Sequence, residues 1–143
     1  HILALQNQIG EEDDDHAAPP LPLIIMTSDD TDAHTRHLLH VHSNFGLSSN
    51  QMHIIKQAKV PCLLDGDARL ALEPTDPFQL LTKPHGHGDV HSLLYSSGIA
   101  ASLHASGTRH IIFIQDTNAL VFGGIPAALG VSVTHNLAMN TIS

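Results

Sequence analysis

Leu21-Pro22-Leu23-Ile24-Ile25-Met26-Thr27-Ser28-Asp29-Asp30-Thr31 is the stretch on which the fold turns. Leu21 to Met26 is a short apolar run with a proline near its start, and polar residues crowd its far end. A buried strand that delivers hydroxyl and carboxylate groups at its C-terminal tip has this pattern. Asp30 or Thr31 can cap a helix from about Asp32 to Ser43, with Leu38, Leu39 and His42 inward and Asn44-Phe45-Gly46 as its stop. Met52 to Lys56 then alternates as a second strand. Strand, helix and strand in that order predict an α/β sheet whose ligand site lies beyond the carboxyl ends of the strands.

Upstream, Ile2, Leu3, Leu5 and Ile9 have helical spacing and Gly10 stands where a helix stops, before an acidic, proline-bearing loop over 11–20. Downstream, Ala58 to Leu64 and Ala68 to Leu72 read as short extended pieces around Asp65-Gly66-Asp67. Thr82 to Asp89 is too rich in Pro and Gly for a regular element and feeds a helix over Val90 to Ser97, with Asp89 as its cap. Ile99 to Ser106 continues as helix until Gly107, and His110 to Ile114 reads as a strand with Gln115-Asp116-Thr117-Asn118 at its tip. Pro126 can start a helix over Ala127 to Leu129, and Leu137 to Ile142 can form one more strand.

Composition narrows the partners. Six Lys and Arg stand against fourteen Asp and Glu, a formal charge of -8, which excludes a nucleic-acid backbone as partner because that binding needs clustered cations. No tract is apolar enough to span a bilayer, so no membrane role is expected. Cys62 is the single cysteine, which excludes an intrachain disulfide and a Cys-rich zinc site and fits a reducing, cytoplasmic compartment. Histidine, with 13 residues, is the compositional outlier.

Three groups of residues can carry chemistry. In Lys83-Pro84-His85-Gly86-His87-Gly88-Asp89, two glycines around a histidine let the backbone approach a flat or phosphorylated ligand, and Lys83 with the opening amides of the next helix favours negative charge; an ordinary connector would read the same way. Asp116, at a strand end, suits a hard cation such as Mg²⁺, or it merely caps the next helix. His85, His87, Asp89 and His91 alternate much like the His-x-His-x-Asp-His signature of metallo-β-lactamase-like zinc hydrolases, but Val90 intervenes before His91. His34, His37, His40 and His42 would make a noncatalytic metal-binding module if they met on one helix face; a solvated face accounts for them better.

Taken together, Pro22 to Thr31, Lys56-Gln57-Ala58-Lys59-Val60-Pro61-Cys62-Leu63, Thr82 to Tyr95 and Gln115-Asp116-Thr117-Asn118 resemble the UDP-sugar pyrophosphorylases in order and spacing. The resemblance runs from about His1 to Ile142. It implies a Rossmann-like nucleotidyltransferase core, of the GT-A-like kind, with a mixed sheet flanked by helices. It also implies a uridylyltransferase that makes a UDP-sugar and pyrophosphate from UTP and any of several sugar 1-phosphates, with Mg²⁺ or in its place Mn²⁺. On the same footing Met26, Gln57 and the backbone at Gly86 would surround uracil, Lys83 and His87 would lie beside the phosphates, and Asp116 would hold the metal. Relatives carry Asp-Asn at that strand end, whereas Thr117 here separates Asp116 from Asn118. The family's Gly-rich nucleotide loop and its sugar-binding half are not found in these residues. The expectation is therefore a central segment of the catalytic domain, inactive alone, whose parent has an open oligomeric state compatible with a monomer.

Overall fold

The computed structural model describes residues 1–11 and 20–142, so most of the expected acidic loop lies outside the described residues. The chain divides into two compact units, residues 2–107 and residues 108–143 with His1.

In the first unit, α1 (Ile2–Glu11) runs past Gly10, which does not end it. One glycine within a helix costs only about 1 kcal/mol. The decisive stretch is β1 (Leu23–Thr27), followed by α2 (Asp29–Val41) and β2 (Met52–Lys56). β1 and β2 pair in parallel from Leu23↔Met52 to Thr27↔Lys56, the βαβ unit that the sequence predicts. The cap of α2 is Ser28 rather than Asp30 or Thr31; its N–H donates to Thr31 Oγ1 at 2.9 Å and its C=O accepts from Asp32 N–H at 2.8 Å. Of the three residues expected inward, Leu39 alone is buried. His42 is the exposed C-cap, because Ser43, Asn44 and Phe45 turn to positive φ (49°, 55° and 53°) and break the helical face before Gly46.

Gln51, buried just before β2, ties the unit's N-terminal parts together. Its Nε2 donates to Leu21 O at 2.6 Å and to Gln6 Oε1, which also accepts from Leu21 N–H at 3.2 Å.

The remaining strands form two antiparallel pairs. β3 (Lys59–Pro61) pairs with β6 (Thr82–Pro84), and β4 (Leu72–Glu73) with β5 (Asp76–Leu80). The first half of the expected 82–89 loop is therefore a strand. Pro84 is tolerated because it is the strand's last residue, where no ladder donor is demanded of it. β5 was not expected at all. All five of its residues are exposed, and Phe78 and Leu80 alone make too short an alternation beside Pro77 to signal a strand. The class is α/β, with its strands grouped as three two-stranded sheets rather than one mixed sheet. Helices α3 (Asp89–Ser96) and α4 (Ile99–Ala105) follow, meeting at Gly98 with φ 77°. Among the described residues, Leu39, Ile55, Ala71, Leu94 and Leu103 are the buried apolar side chains of this unit.

In the second unit, α5 (Ile125–Thr134) extends well past the expected 127–129. His110 to Ile114 and Leu137 to Ile142 are not strands. An apolar alternating run becomes a strand only where a ladder receives it, and the ladders among the described residues are the three above. Ile111 to Ile114 accordingly stand 42–50% exposed.

Candidate functional site

The parallel pair ends at Thr27 and Lys56, and the chain beyond Lys56 is captured at once. Gln57 N–H donates to Thr27 O at 2.9 Å, which places Gln57 at the carboxyl end of β1, one residue from Met26. Two further bonds join this connector to the glycine loop. His85 N–H donates to Ala58 O at 3.1 Å, and Gly86 N–H donates to Gln57 Oε1 at 2.8 Å. A backbone N–H can be met only by an acceptor, so the oxygen of the Gln57 amide faces Gly86 and its amino group points away.

Gly86 adopts φ +126°, a conformation that side-chain-bearing residues rarely take, and a Cβ there would meet nothing within 4 Å. Backbone conformation, not crowding, is why glycine belongs at this position. Its C=O accepts from Asp89 N–H at 3.1 Å, while the His87 and Gly88 carbonyls accept from Val90 and His91 N–H at 3.3 Å each. The loop thereby supplies the first turn of α3, whose N-cap is Gly88 and not Asp89. Asp89 instead pairs through Oδ1 with His85 Nδ1 at 2.7 Å. Lys83, opposite Val60 on β6, and His87, in the turn, are both exposed.

The structure thus unites Gln57 and Gly86 directly, sets Met26 half-buried on the adjoining strand, and leaves Lys83 and His87 on the loop's exposed side. Asp116 belongs to the other unit. It lies exposed in the turn closed by Asn118 N–H on Gln115 O at 3.1 Å, and among the described residues it forms no ion pair. One unengaged carboxylate fits Mg²⁺, which takes one or two protein carboxylates and completes its shell with phosphate oxygens and water. The zinc alternative fares differently. Asp89 is spent on His85, and no three His, Cys, Asp or Glu side chains converge among the described residues, either on this loop or on α2.

Sequence reading missed the ion pairs at the start of α2. Asp29, the first residue of α2, receives Lys56 Nζ on Oδ1 at 2.7 Å and Lys59 Nζ on Oδ2 at 3.5 Å. The hydrogen bond and charge of Lys56 hold the Asp29 carboxyl below the ordinary carboxylate range, and Asp29 in turn raises Lys56. Asp32 is lowered first by its bond to Arg36 Nε (2.8 Å) and then by the Thr27 hydroxyl, which donates at 2.8 Å. The available signal was scarcity, since two of only six Lys and Arg flank Gln57 and Ala58.

The chain is 51% identical over 142 residues to the UDP-sugar pyrophosphorylase of Arabidopsis thaliana and 50% identical to that of Oryza sativa subsp. indica. Each alignment covers 99% of this chain and 23% of the relative, so the chain spans about a quarter of their length. A solved structure of the uridine diphosphate N-acetylglucosamine pyrophosphorylase from Trypanosoma brucei superposes with TM-score 0.55 at 27% identity. That match covers 65% of this chain and 18% of the other, and it agrees with the nucleotidyltransferase core expected from the sequence. No helix among the described residues is long and apolar enough to cross a membrane. The profile of the UTP–glucose-1-phosphate uridylyltransferase family matches residues 2–125, and the chain belongs to that family.

Proposed function

We propose that the protein containing this chain is a cytoplasmic uridylyltransferase that forms a UDP-sugar and pyrophosphate from UTP and a sugar 1-phosphate. Within it, Met26, Gln57 and Gly86 are the uridine wall and Lys83 and His87 face the phosphates. The observation that carries this reading is the Gln57–Gly86 bond at the carboxyl end of β1, the end of an open α/β sheet at which ligands bind. The Gln57 amino group, turned away from Gly86, is a donor suited to a uracil carbonyl.

In the reaction, an oxygen of the sugar phosphate attacks the α-phosphorus of UTP. A new P–O bond forms, and the bond to the β-phosphate oxygen breaks with its electron pair leaving on pyrophosphate. The attacking phosphate is already ionised, so no general base is needed, and the work of the residues is positioning and neutralising charge. Lys83 supplies a cation for the phosphate oxygens, whereas the first three amides of α3 are already engaged by the carbonyls of Gly86, His87 and Gly88. Mg²⁺, or Mn²⁺ in its place, supplies additional charge neutralisation when bound, and Asp116 is the residue that would hold it.

The test is calorimetric titration of the full-length protein with UTP. Gly86→Val should weaken UTP binding far more than it lowers the thermal midpoint. An unchanged UTP affinity in a folded variant refutes the uridine assignment.

A further inference from the structure

Gln57 and Ala58 form the whole connection between β2 and β3, and three hydrogen bonds leave that connection: one to the end of β1 and two to the glycine loop. The residues immediately flanking it, Lys56 and Lys59, both reach back to one carboxylate, Asp29, at the N-terminus of α2. Without that anion the two ammonium groups would repel each other across the connector. The N-terminus of α2 also favours a negative side chain at this position. Such convergence is notable in a chain of net charge -8, because most of its carboxylates have no cation to pair with.

We propose that Asp29 is a positioning residue for the uridine loop: by drawing Lys56 and Lys59 together it fixes the Gln57–Ala58 connector, and through Gln57 Oε1 it sets Gly86. This rests on the uridine reading above. The competing role for the same residues is that Lys56 and Lys59 are themselves phosphate-binding cations, which Asp29 would restrain. The two roles have opposite signs. Loss of the Asp29 charge weakens UTP binding if Asp29 positions the loop, and tightens it if Asp29 merely occupies lysines that phosphate would otherwise use.

The experiment measures UTP affinity of the full-length protein for the wild type, Asp29→Asn, Asp29→Glu, Gln57→Ala and the Asp29→Asn/Gln57→Ala double variant. Asp29→Asn should weaken UTP by about threefold to fivefold, the scale of exposed ion pairs. Asp29→Glu should restore most of that loss, and it supports the test even if the Asn variant folds poorly. In the Gln57→Ala background Asp29→Asn should have no further effect, which distinguishes action through Gln57 from general loosening of the fold. Unchanged or tighter binding in Asp29→Asn, or an equal effect in both backgrounds, overturns the proposal while leaving the uridine reading intact. A Gln57→Ala protein that binds UTP like the wild type overturns both.

Discussion

At Gly86 the loop is held on every side: its N–H by the Gln57 side chain, its C=O by the first amide of α3, and the preceding residue by Ala58. At Asp116 the carboxylate stands exposed in a turn, after the run His110 to Ile114, which joins no sheet among the described residues. Both places carry residues proposed for nucleotide chemistry, yet one is preorganised by its own chain and the other is not. Shape for a base must be built by the protein, because a flat ligand is recognised by donors and surfaces already in place. A cation site of the Mg²⁺ kind needs little building, since phosphate oxygens and water provide most of the shell. Substitution should therefore act on different quantities at the two places, turnover at Asp116 and affinity at Gly86.

The largest effect is expected at Asp116. Asp116→Asn keeps the size and removes the charge, and kcat of the full-length protein should fall by roughly 100-fold or more, the scale of losing a main electrostatic contact to the reacting group. Asn118→Ala, two residues on, should cost less if Asp116 is the metal ligand. Steady-state rates across a Mg²⁺ titration measure both, and a wild-type-like Asp116→Asn protein would place the cation elsewhere. Next in size is Gly86→Val. A branched residue held near φ +126° bears strain on the order of 1–3 kcal/mol, and the loop will relax from that φ if it can. UTP affinity should drop about tenfold with kcat at saturating UTP largely retained. A fall in kcat alone would erase the contrast between the two places.

That contrast bears on what the residues alone could show. β1, α2 and β2 were legible because each has its own signal: an apolar run, a capped helix, an alternating strand, all within the reach of local pattern. β6 was not, since Lys83 and Pro84 look like loop chemistry and become strand only because Val60 and Lys59 lie opposite. His110 to Ile114 failed in the other direction, having the pattern of a strand and no ladder among the described residues. For the site, glycine and lysine marked the loop, but neither the Gln57–Gly86 bond, spanning 29 positions, nor the capture of Lys56 and Lys59 by Asp29 leaves a local trace. Pairing across the chain decides both, and spacing does not encode it.

At the end of β1, Thr27 offers a smaller and sharper test. It is 3% exposed, and its hydroxyl lies 2.8 Å from Asp32 Oδ1 and 3.3 Å from Ile55 O. Thr27→Val keeps the shape and removes the donor, leaving the half-buried Asp32 carboxylate with Arg36 but without the Thr27 bond. The folded state should lose about 1 kcal/mol, read by denaturant unfolding. UTP affinity should follow only weakly, because Gln57 is held by the Thr27 carbonyl and not by its hydroxyl. A large loss of affinity with unchanged stability would mean that the hydroxyl, not the backbone, organises the loop.

The smallest effect is expected from pH. Asp29 and Asp32 are both held below the ordinary carboxylate range in the folded chain, Asp29 chiefly by Lys56 and Asp32 chiefly by Arg36. A carboxyl with a depressed folded value gives up its proton more readily in the fold than in the unfolded chain. Its contribution to stability is therefore complete above the unfolded value and disappears as the pH falls through the folded one. All of these pairs are open to solvent, so screening keeps the contribution modest. Stability from this source should be flat from neutrality to about pH 5 and decline below about pH 4. The Asp29→Asn/Asp32→Asn double variant should be less stable than the wild type at neutral pH, with the difference shrinking toward acid. Equilibrium unfolding of both proteins between those limits is the measurement. A difference independent of pH would show that these ion pairs do not act through charge.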